Sequence, residues 1–474
     1  MGVHGLTGLI AKHAPNAIRV ISANTLARQT IAFDASCHLN KFIYGDEPHN
    51  YKHIYGFYQL ARFCDLNQIR PIFVFDGPKR LAAKSFELAK RAKARSKVKH
   101  SLAFEKEQSI RLDNWLQFSN SIDNVDQFDK INLASIFNDL DQTMADAENR
   151  ISNNNAVMKE VEDIVDERNY KAADIDIEGK LMLFAQELRN AITNSKNTEK
   201  YTRTVRALVY REKELIADMV SQEYKNTKSA LKRLRRDNQV MLDSLQKRSF
   251  RITQAIREEC RDFLEALGYL CFTCNGHEAE AMCAHLGRAG ITKATVSEDL
   301  DTLVFGEVPI LRYFFARHRP ILSIDPVVAR QELGLSKDAF IDLCILCGTD
   351  FSGTIQGIGP HRAIQAIQKY GSIEMILQHM DSKRYVPHET FNYQRARNVF
   401  NSLPPIPLDR AAYQPPKLNE SRKAELLKHY ELDALTIEVK LKASLLQQNL
   451  IDGHSLQTQD PFAPNASQLS LNAF

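Results

Sequence analysis

Pro71-Ile-Phe-Val-Phe75-Asp76-Gly77 reads as a buried strand that runs directly into an aspartate. The run is rich in β-branched and aromatic residues and is closed by a glycine, the pattern of a strand and its exit turn. Thr30-Ile-Ala-Phe33 followed by Asp34 has the same form, and Ala294-Thr-Val-Ser297 followed by Glu298 and Asp299 repeats it. Helix-length segments separate these runs, which predicts an α/β fold with a twisted, mostly parallel sheet between helices. In such sheets ligands bind beyond the carboxyl ends of the strands, which is where these acids stand.

The chain has 474 residues, 44% hydrophobic and 25% charged, an ordinary globular balance that excludes disordered, collagen-like and disulfide-scaffold proteins. A net charge of +4, from 62 basic and 58 acidic residues, excludes a polycationic coat protein. Any nucleic-acid surface must therefore come from local clustering of charge. No run approaches the roughly 18 apolar residues of a membrane span. Met-Gly-Val-His-Gly-Leu at the amino terminus reads as the start of the fold rather than as an address signal. Cysteines occur at 37, 64, 260, 271, 274, 283, 344 and 347, with two C-x-x-C pairs, Cys271/Cys274 and Cys344/Cys347. The first pair lies in a strand-like run, where it would point to opposite faces, and the second in an apolar helical run. Core thiols are the expected reading, with zinc as the alternative.

The chain divides by composition into residues 1–100, a helical region 101–245, residues 246–330, a helical part 331–452 and a flexible tail 453–474. No proline occurs between Pro78 and Pro309, and Gly179 is the single glycine between Gly77 and Gly268. Leu133, Ile136, Phe137, Leu140, Met144 and Ile151 follow the spacing of one helix face, as do Val205, Leu208, Leu215, Ile216 and Met219. Residues 101–245 therefore read as long helices whose apolar stripes pack on one another.

Seven carboxylates carry the chemistry: Asp34, Asp76, Glu278, Glu280, Asp299, Asp301 and Asp350. Glu278-Ala-Glu280 and Asp299-Leu-Asp301 are i,i+2 pairs, which on a strand or strand end share one face. So many anions together would be driven to protonate unless cations met them. Oxygen ligands without a well-placed His or Cys favour Mg2+ or Mn2+ over zinc. Two such ions are a known device for phosphodiester cleavage. Beside this pattern lies a basic segment, Lys79 to Lys99, with Glu87 its lone acid. Lys84, Arg91 and Arg95 are spaced to share a helical face, and Lys84 and Arg91 are suited to steady a scissile phosphate. Ile355-Gln-Gly357-Ile-Gly359-Pro360-His-Arg362 reads as a glycine turn opening a helix, able to bring backbone N–H groups onto a phosphate.

Met-Gly-Val-His-Gly-Leu, Ile-Ala-Phe-Asp34, Val-Phe-Asp76-Gly, Glu278-Ala-Glu280-Ala, Ser-Glu-Asp299-Leu-Asp301-Thr-Leu-Val-Phe-Gly306 and Leu-Cys-Gly-Thr-Asp350 together resemble the flap endonuclease/XPG family of structure-specific 5′ nucleases, nearest its flap endonuclease branch. The likeness covers residues 1–100 and roughly 245–440, in the family's order. It implies a PIN-like 5′-nuclease fold with a helical arch and a helix-hairpin-helix part, and a site of two Mg2+ (or Mn2+) ions. Asp34, Asp76, Glu278 and Glu280 would match one ligand group, and Asp299, Asp301 and Asp350 the other. Lys84 and Arg91 match the family's catalytic basic pair. Gly2, Arg95, Lys247, Arg248, Arg251, Gly357, Gly359 and Arg362 fall where the family meets DNA. Gln468, Leu471 and Phe474 fit the spacing of a sliding-clamp-binding peptide whose second aromatic is missing.

Three departures from the family stand out: the long 101–245 segment, Asn40 where an aromatic residue usually stacks on a base, and a short Asp34–Asp76 interval. The resemblance implies cleavage of flapped or branched DNA at single-strand/duplex junctions in replication or repair. It implies a monomer in the nucleus, with the mitochondrion as alternative and no membrane. A 5′→3′ exonuclease or repair incision enzyme is the enzymatic alternative, and a silent scaffold for branched nucleic acid the non-enzymatic one.

Overall fold

Alternation along β-branched and aromatic runs builds one sheet buried on both faces. The computed structural model describes residues 2–79, 81–122, 174–196, 200–220, 224–316, 319–433 and 437–438. Among these, the strands are β1 Ile18–Ile21, β2 Thr30–Asp34, β3 Arg70–Asp76, β4 Leu270–Cys274, β5 Thr295–Val296, β6 Ile310–Arg312 and β7 Ile321–Ile324. Their order is β1-β7-β6-β5-β2-β3-β4. Strands β6, β5, β2, β3 and β4 run parallel, and β7 is antiparallel to both β1 and β6.

Ile31, Phe33, Phe73 and Phe75 turn to one side and pack in a core with residues of helices Lys52–Leu66 and Gln254–Ala266. Ala32, Ile72 and Val74 turn to the other, against Met282, Cys283 and Leu286 of helix Ala279–Arg288. Both faces are covered, which is why these strands read as nearly continuous apolar runs. A further core joins helix Leu6–His13 to the helices Lys337–Cys347 and Pro360–Tyr370, and Cys344 and Cys347 lie inside it. Asp342, almost fully buried in the first of these, holds Arg397 through both carboxylate oxygens and accepts the Ile373 N–H. Arg397 also grips Glu374, so one guanidinium ties three helical segments together.

The chain forms two compact units, Met1–Leu88 with Ile252–Phe474, and Ala89–Arg251. Helix Ser85–Ile122 continues through residue 100 without a break. Nothing in its sequence stops it, since neither proline nor glycine occurs there. The second unit has its own core, in which Trp115, Leu112, Val205, Val209, Ile216, Leu231 and Leu234 meet. Leu208 and Leu215 pack against it half-buried, as their spacing predicts. The helical face expected from Leu133 to Ile151 lies outside the described residues.

A buried polar layer crosses that core. Arg111 donates through Nε and Nη2 to Glu212, each bond 3.1 Å long. Gln108 donates to Glu212 at 2.9 Å, and Asn238 to Glu105 at 2.6 Å. Burial pushes Glu105 up to about 7 against the Asn238 bond and the Arg111 charge, with Glu212 adding to the rise. A carboxyl so raised stabilises the fold below its ordinary value near 4.5 and loses that contribution as pH rises through about 7. Trp115 is the chain's single tryptophan and lies in this unit, so its fluorescence follows this unit. The unfolding midpoint it reports is expected to fall between about pH 5 and pH 8. Glu105→Gln should flatten that slope; an equal slope in the variant would contradict the assignment.

Candidate active site

Asp34 closes β2 and caps the helix that follows, Ala35–Tyr44, by accepting the Cys37 N–H at 2.9 Å. Its second oxygen accepts the Ser297 hydroxyl at 2.8 Å. Asp76 closes β3, its backbone N–H donates to Ser36 Oγ at 3.0 Å, and its carboxylate accepts the Ala279 N–H at 3.0 Å. Two strand-end aspartates thus sit at helix N-termini, where orphan N–H groups and the helix dipole favour negative charge.

The i,i+2 pairs converge by a route other than the strand parity expected from sequence. Glu278 is the N-cap of helix Ala279–Arg288 and Glu280 lies in its first turn. Asp299 lies in the loop after β5, where it accepts the Asp301 N–H at 3.1 Å, and Asp301 opens helix Asp301–Phe305. Glu278 has extended backbone and its successors helical backbone, while Leu300, which caps the second helix, is already helical, so the alternation of a strand applies to neither pair.

Among the described residues, ligand oxygens of Asp76, Glu278 and Glu280 lie within 4.8 Å of one another, as do those of Glu280, Asp299 and Asp301. Glu280 is common to both groups. Lys84 stands among them: Nζ is 2.7 Å from Glu278 Oε2 and 3.9 Å from both Glu280 Oε1 and Asp350 Oδ2. All seven carboxylates predicted from sequence therefore gather at one end of the sheet.

Both oxygens of Asp301 are buried with no hydrogen-bond donor. Burial first, then the charges of Asp76 and Asp299, push Asp34 up to about 7 against its bonds from Cys37 and Ser297. Burial also raises Glu280, Asp299 and Asp301, the last reinforced by Asp299 and Asp350. Burial alone would depress the Lys84 ammonium, but Glu280 and Glu278 hold it above its ordinary value. The two Asp301 oxygens, without a donor inside so dense a group of carboxylates, fit a hard divalent cation. Gly2 adopts φ +77°, and a Cβ there would lie 2.6 Å from the Asp301 amide nitrogen, so only glycine can lie this close to the acids.

Lys84 departs from the shared helical face expected with Arg91 and Arg95. It ends a 3-10 turn, Ala82–Lys84, and the α-helix begins at Ser85. Its ammonium is drawn to Glu278 and lies 5.1 Å from the centre of the Phe351 ring. Arg91 and Arg95 are exposed on helix Ser85–Ile122, and Lys247, Arg248 and Arg251 are exposed at and after the end of helix Tyr224–Ser249, all in the second unit. Asn40 is exposed and donates to Ser36 O at 2.8 Å. Gly357 has φ +81°, Gly359 caps helix Pro360–Tyr370, and Arg362 donates to Gly357 O at 2.6 Å. Gln468, Leu471 and Phe474 lie outside the described residues.

Sequence reading missed Ser297, which donates to the Asp34 carboxylate, and Ser36, which accepts the Asp76 backbone N–H. Ser297 had a signal, since it follows β5 as the two aspartates end β2 and β3. Phe351 and Arg395 had none: they come into play only through packing.

The XPG N-terminal domain matches residues 1–98 and the XPG I-region matches residues 274–350. These segments hold all seven carboxylates together with Lys84 and Arg91. The chain is 39% identical over 161 residues to flap endonuclease 1 of Caenorhabditis elegans and 42% identical over 164 residues to that of Salmo salar. Residues 1–98 and 274–350 are thus similar to the two regions of the flap endonuclease/XPG family. These alignments cover 33% and 34% of this chain and 42% of each relative, so the chain spans less than half the length of the family members it matches. The catalytic core of Rad2 in complex with DNA superposes with a TM-score of 0.49 at 14% identity, covering 94% of this chain and all of that one. Between the two family segments lie residues 99–273, which include most of the second helical unit.

Proposed function

We propose that this protein is a structure-specific 5′ nuclease of the flap endonuclease/XPG family that hydrolyses DNA phosphodiesters at single-strand/duplex junctions with divalent metal, as a flap endonuclease does. The convergence of seven carboxylates around one buried lysine carries this reading. Asp76, Glu278 and Glu280, with Asp34 beside them, would hold one cation, and Asp299, Asp301 and Asp350, sharing Glu280, the other. Two Mg2+ or Mn2+ ions bound there supply activation of water and charge stabilisation at the phosphate. Lys84, kept protonated by its acidic neighbours, offers a fixed positive charge where negative charge grows on the phosphate. Gly2, which lies directly against Asp299 and Asp301, would bring the amino terminus to the substrate strand. Arg91, Arg95, Lys247, Arg248 and Arg251 would guide the 5′ strand, and the Gly357–Arg362 turn would grip duplex backbone without reading bases. Such a substrate belongs to replication or repair, and the protein would meet it in the nucleus, with the mitochondrion as the alternative.

The full chain with magnesium and a labelled DNA bearing a blocked 5′ flap tests this reading. One cut at the junction, abolished by chelator, is the expected result. Mononucleotides released only from recessed 5′ ends would favour an exonuclease, and binding without cleavage in any divalent metal would favour a scaffold.

A further inference from the structure

Next in the chain to Glu278 and Lys84, His277 and Leu81 line a cavity of about 490 Å³ that the nuclease reading does not use. Its wall is formed by His277, Leu81 and one face of helix Tyr393–Asn401, presenting Gln394, Asn398 and Val399. Three chain segments of the active site reach it. His277 immediately precedes Glu278, and Leu81 caps the 3-10 turn that ends in Lys84. Arg395, also in the wall, donates from Nε and Nη2 to Phe351 O at 3.3 and 3.1 Å, and Phe351 follows Asp350.

The lining contains no carboxylate, in contrast to the cluster next to it. Arg395 has spent two of its donors on Phe351, and Asn392 spends its side chain on capping the helix. Among the described residues the carboxamides of Gln394 and Asn398 and the imidazole of His277 bond to no protein group, and both carboxamides are exposed. Gln394 and Asn398 are four apart and share one helix face. Paired donors and acceptors in a lining that also includes the apolar side chains of Leu81 and Val399 suit the edge and faces of a nucleobase. The volume lies within the range of small-molecule sites.

We propose that this cavity receives an unpaired base of the substrate strand next to the bond that is cut, with Gln394 and Asn398 bonding its edge. The inference rests on the nuclease reading for the identity of its ligand. Arg395 fixes the cavity to the Asp350 turn, so a base seated there sets its own phosphate against the carboxylates.

The test compares the full-length wild type with Gln394→Ala/Asn398→Ala on flap substrates carrying a single abasic nucleotide, scanned across the junction. Both substituted side chains are exposed, and an unchanged thermal midpoint shows that the fold is intact. At one position the abasic site is expected to weaken wild-type binding, read by anisotropy in calcium, and raise KM about tenfold with kcat little changed. The variant should be equally weak on the intact and abasic substrates. Identical responses of wild type and variant at every position would overturn the proposal. Free mononucleotides that inhibit the wild type and not the variant, with no abasic effect, would also overturn it and assign the cavity to a free nucleotide. Failure of the nuclease reading itself would show as no cleavage by wild type, while the anisotropy comparison would still report on the cavity.

Discussion

Asp301→Asn will abolish cleavage and, in the absence of metal, make the protein more stable. Both effects come from one fact: the Asp301 carboxylate is fully buried and neither oxygen has a hydrogen-bond donor. Asp299 and Asp350 add repulsion that Lys84 only partly offsets. An amide of the same shape removes the buried charge and brings donors to neighbouring carboxylates, a gain of about 1–3 kcal/mol. The folded carboxyl is raised well above its ordinary value, so the cost it imposes appears as pH rises and vanishes in acid. The variant's advantage should therefore be largest under alkaline conditions. Saturating Mn2+ should invert the order, because a cation that binds only the native wild type stabilises it by mass action. Cleavage should fall by at least about 10³-fold while flap binding persists. Unchanged turnover, or a variant less stable than wild type without metal, would remove Asp301 from the site.

Lys84→Met should separate stability from chemistry. The lysine is 9% exposed and pairs with Glu278 while lying within 4 Å of Glu280 and Asp350. Removing one partner of a buried pair commonly costs about 3–5 kcal/mol. The loss should be largest in metal-free protein near neutral pH or above. In acid Glu280, already raised by burial, takes up a proton and the loss shrinks. Divalent cations should restore the thermal midpoint, since they replace the missing charge. They should not restore cleavage, which is expected to stay about 10²–10³-fold down because the positive charge aimed at the phosphate is gone. A variant that metal rescues in both respects would make Lys84 a structural counter-ion alone.

The sheet and its strand-end acids were legible because β2 and β3 each end on an aspartate and Asp299 follows β5 closely, and a parallel sheet turns such ends one way. Less legible was how the acids approach one another. Glu278, Glu280 and Asp301 converge at helix starts, and the change of backbone at a cap cannot be read from an i,i+2 spacing. The spacing of Lys84 with Arg91 likewise assumed an α-helix where the chain makes a 3-10 turn. Buried charge was the other blind spot. Glu105, Arg111, Glu212 and Asp342 look in sequence like any helix surface, and only packing shows them as internal bonds. Asp342 alone carried a hint, a charge set within the apolar run Phe340–Cys347.

Anomalous diffraction from crystals of the full chain loaded with Mn2+ tests the two-cation site most directly. Two peaks are expected, one among the carboxylates of Asp76, Glu278 and Glu280 and one among those of Glu280, Asp299 and Asp301. Crystals that bind manganese elsewhere, with no peak beside Glu280, would contradict it.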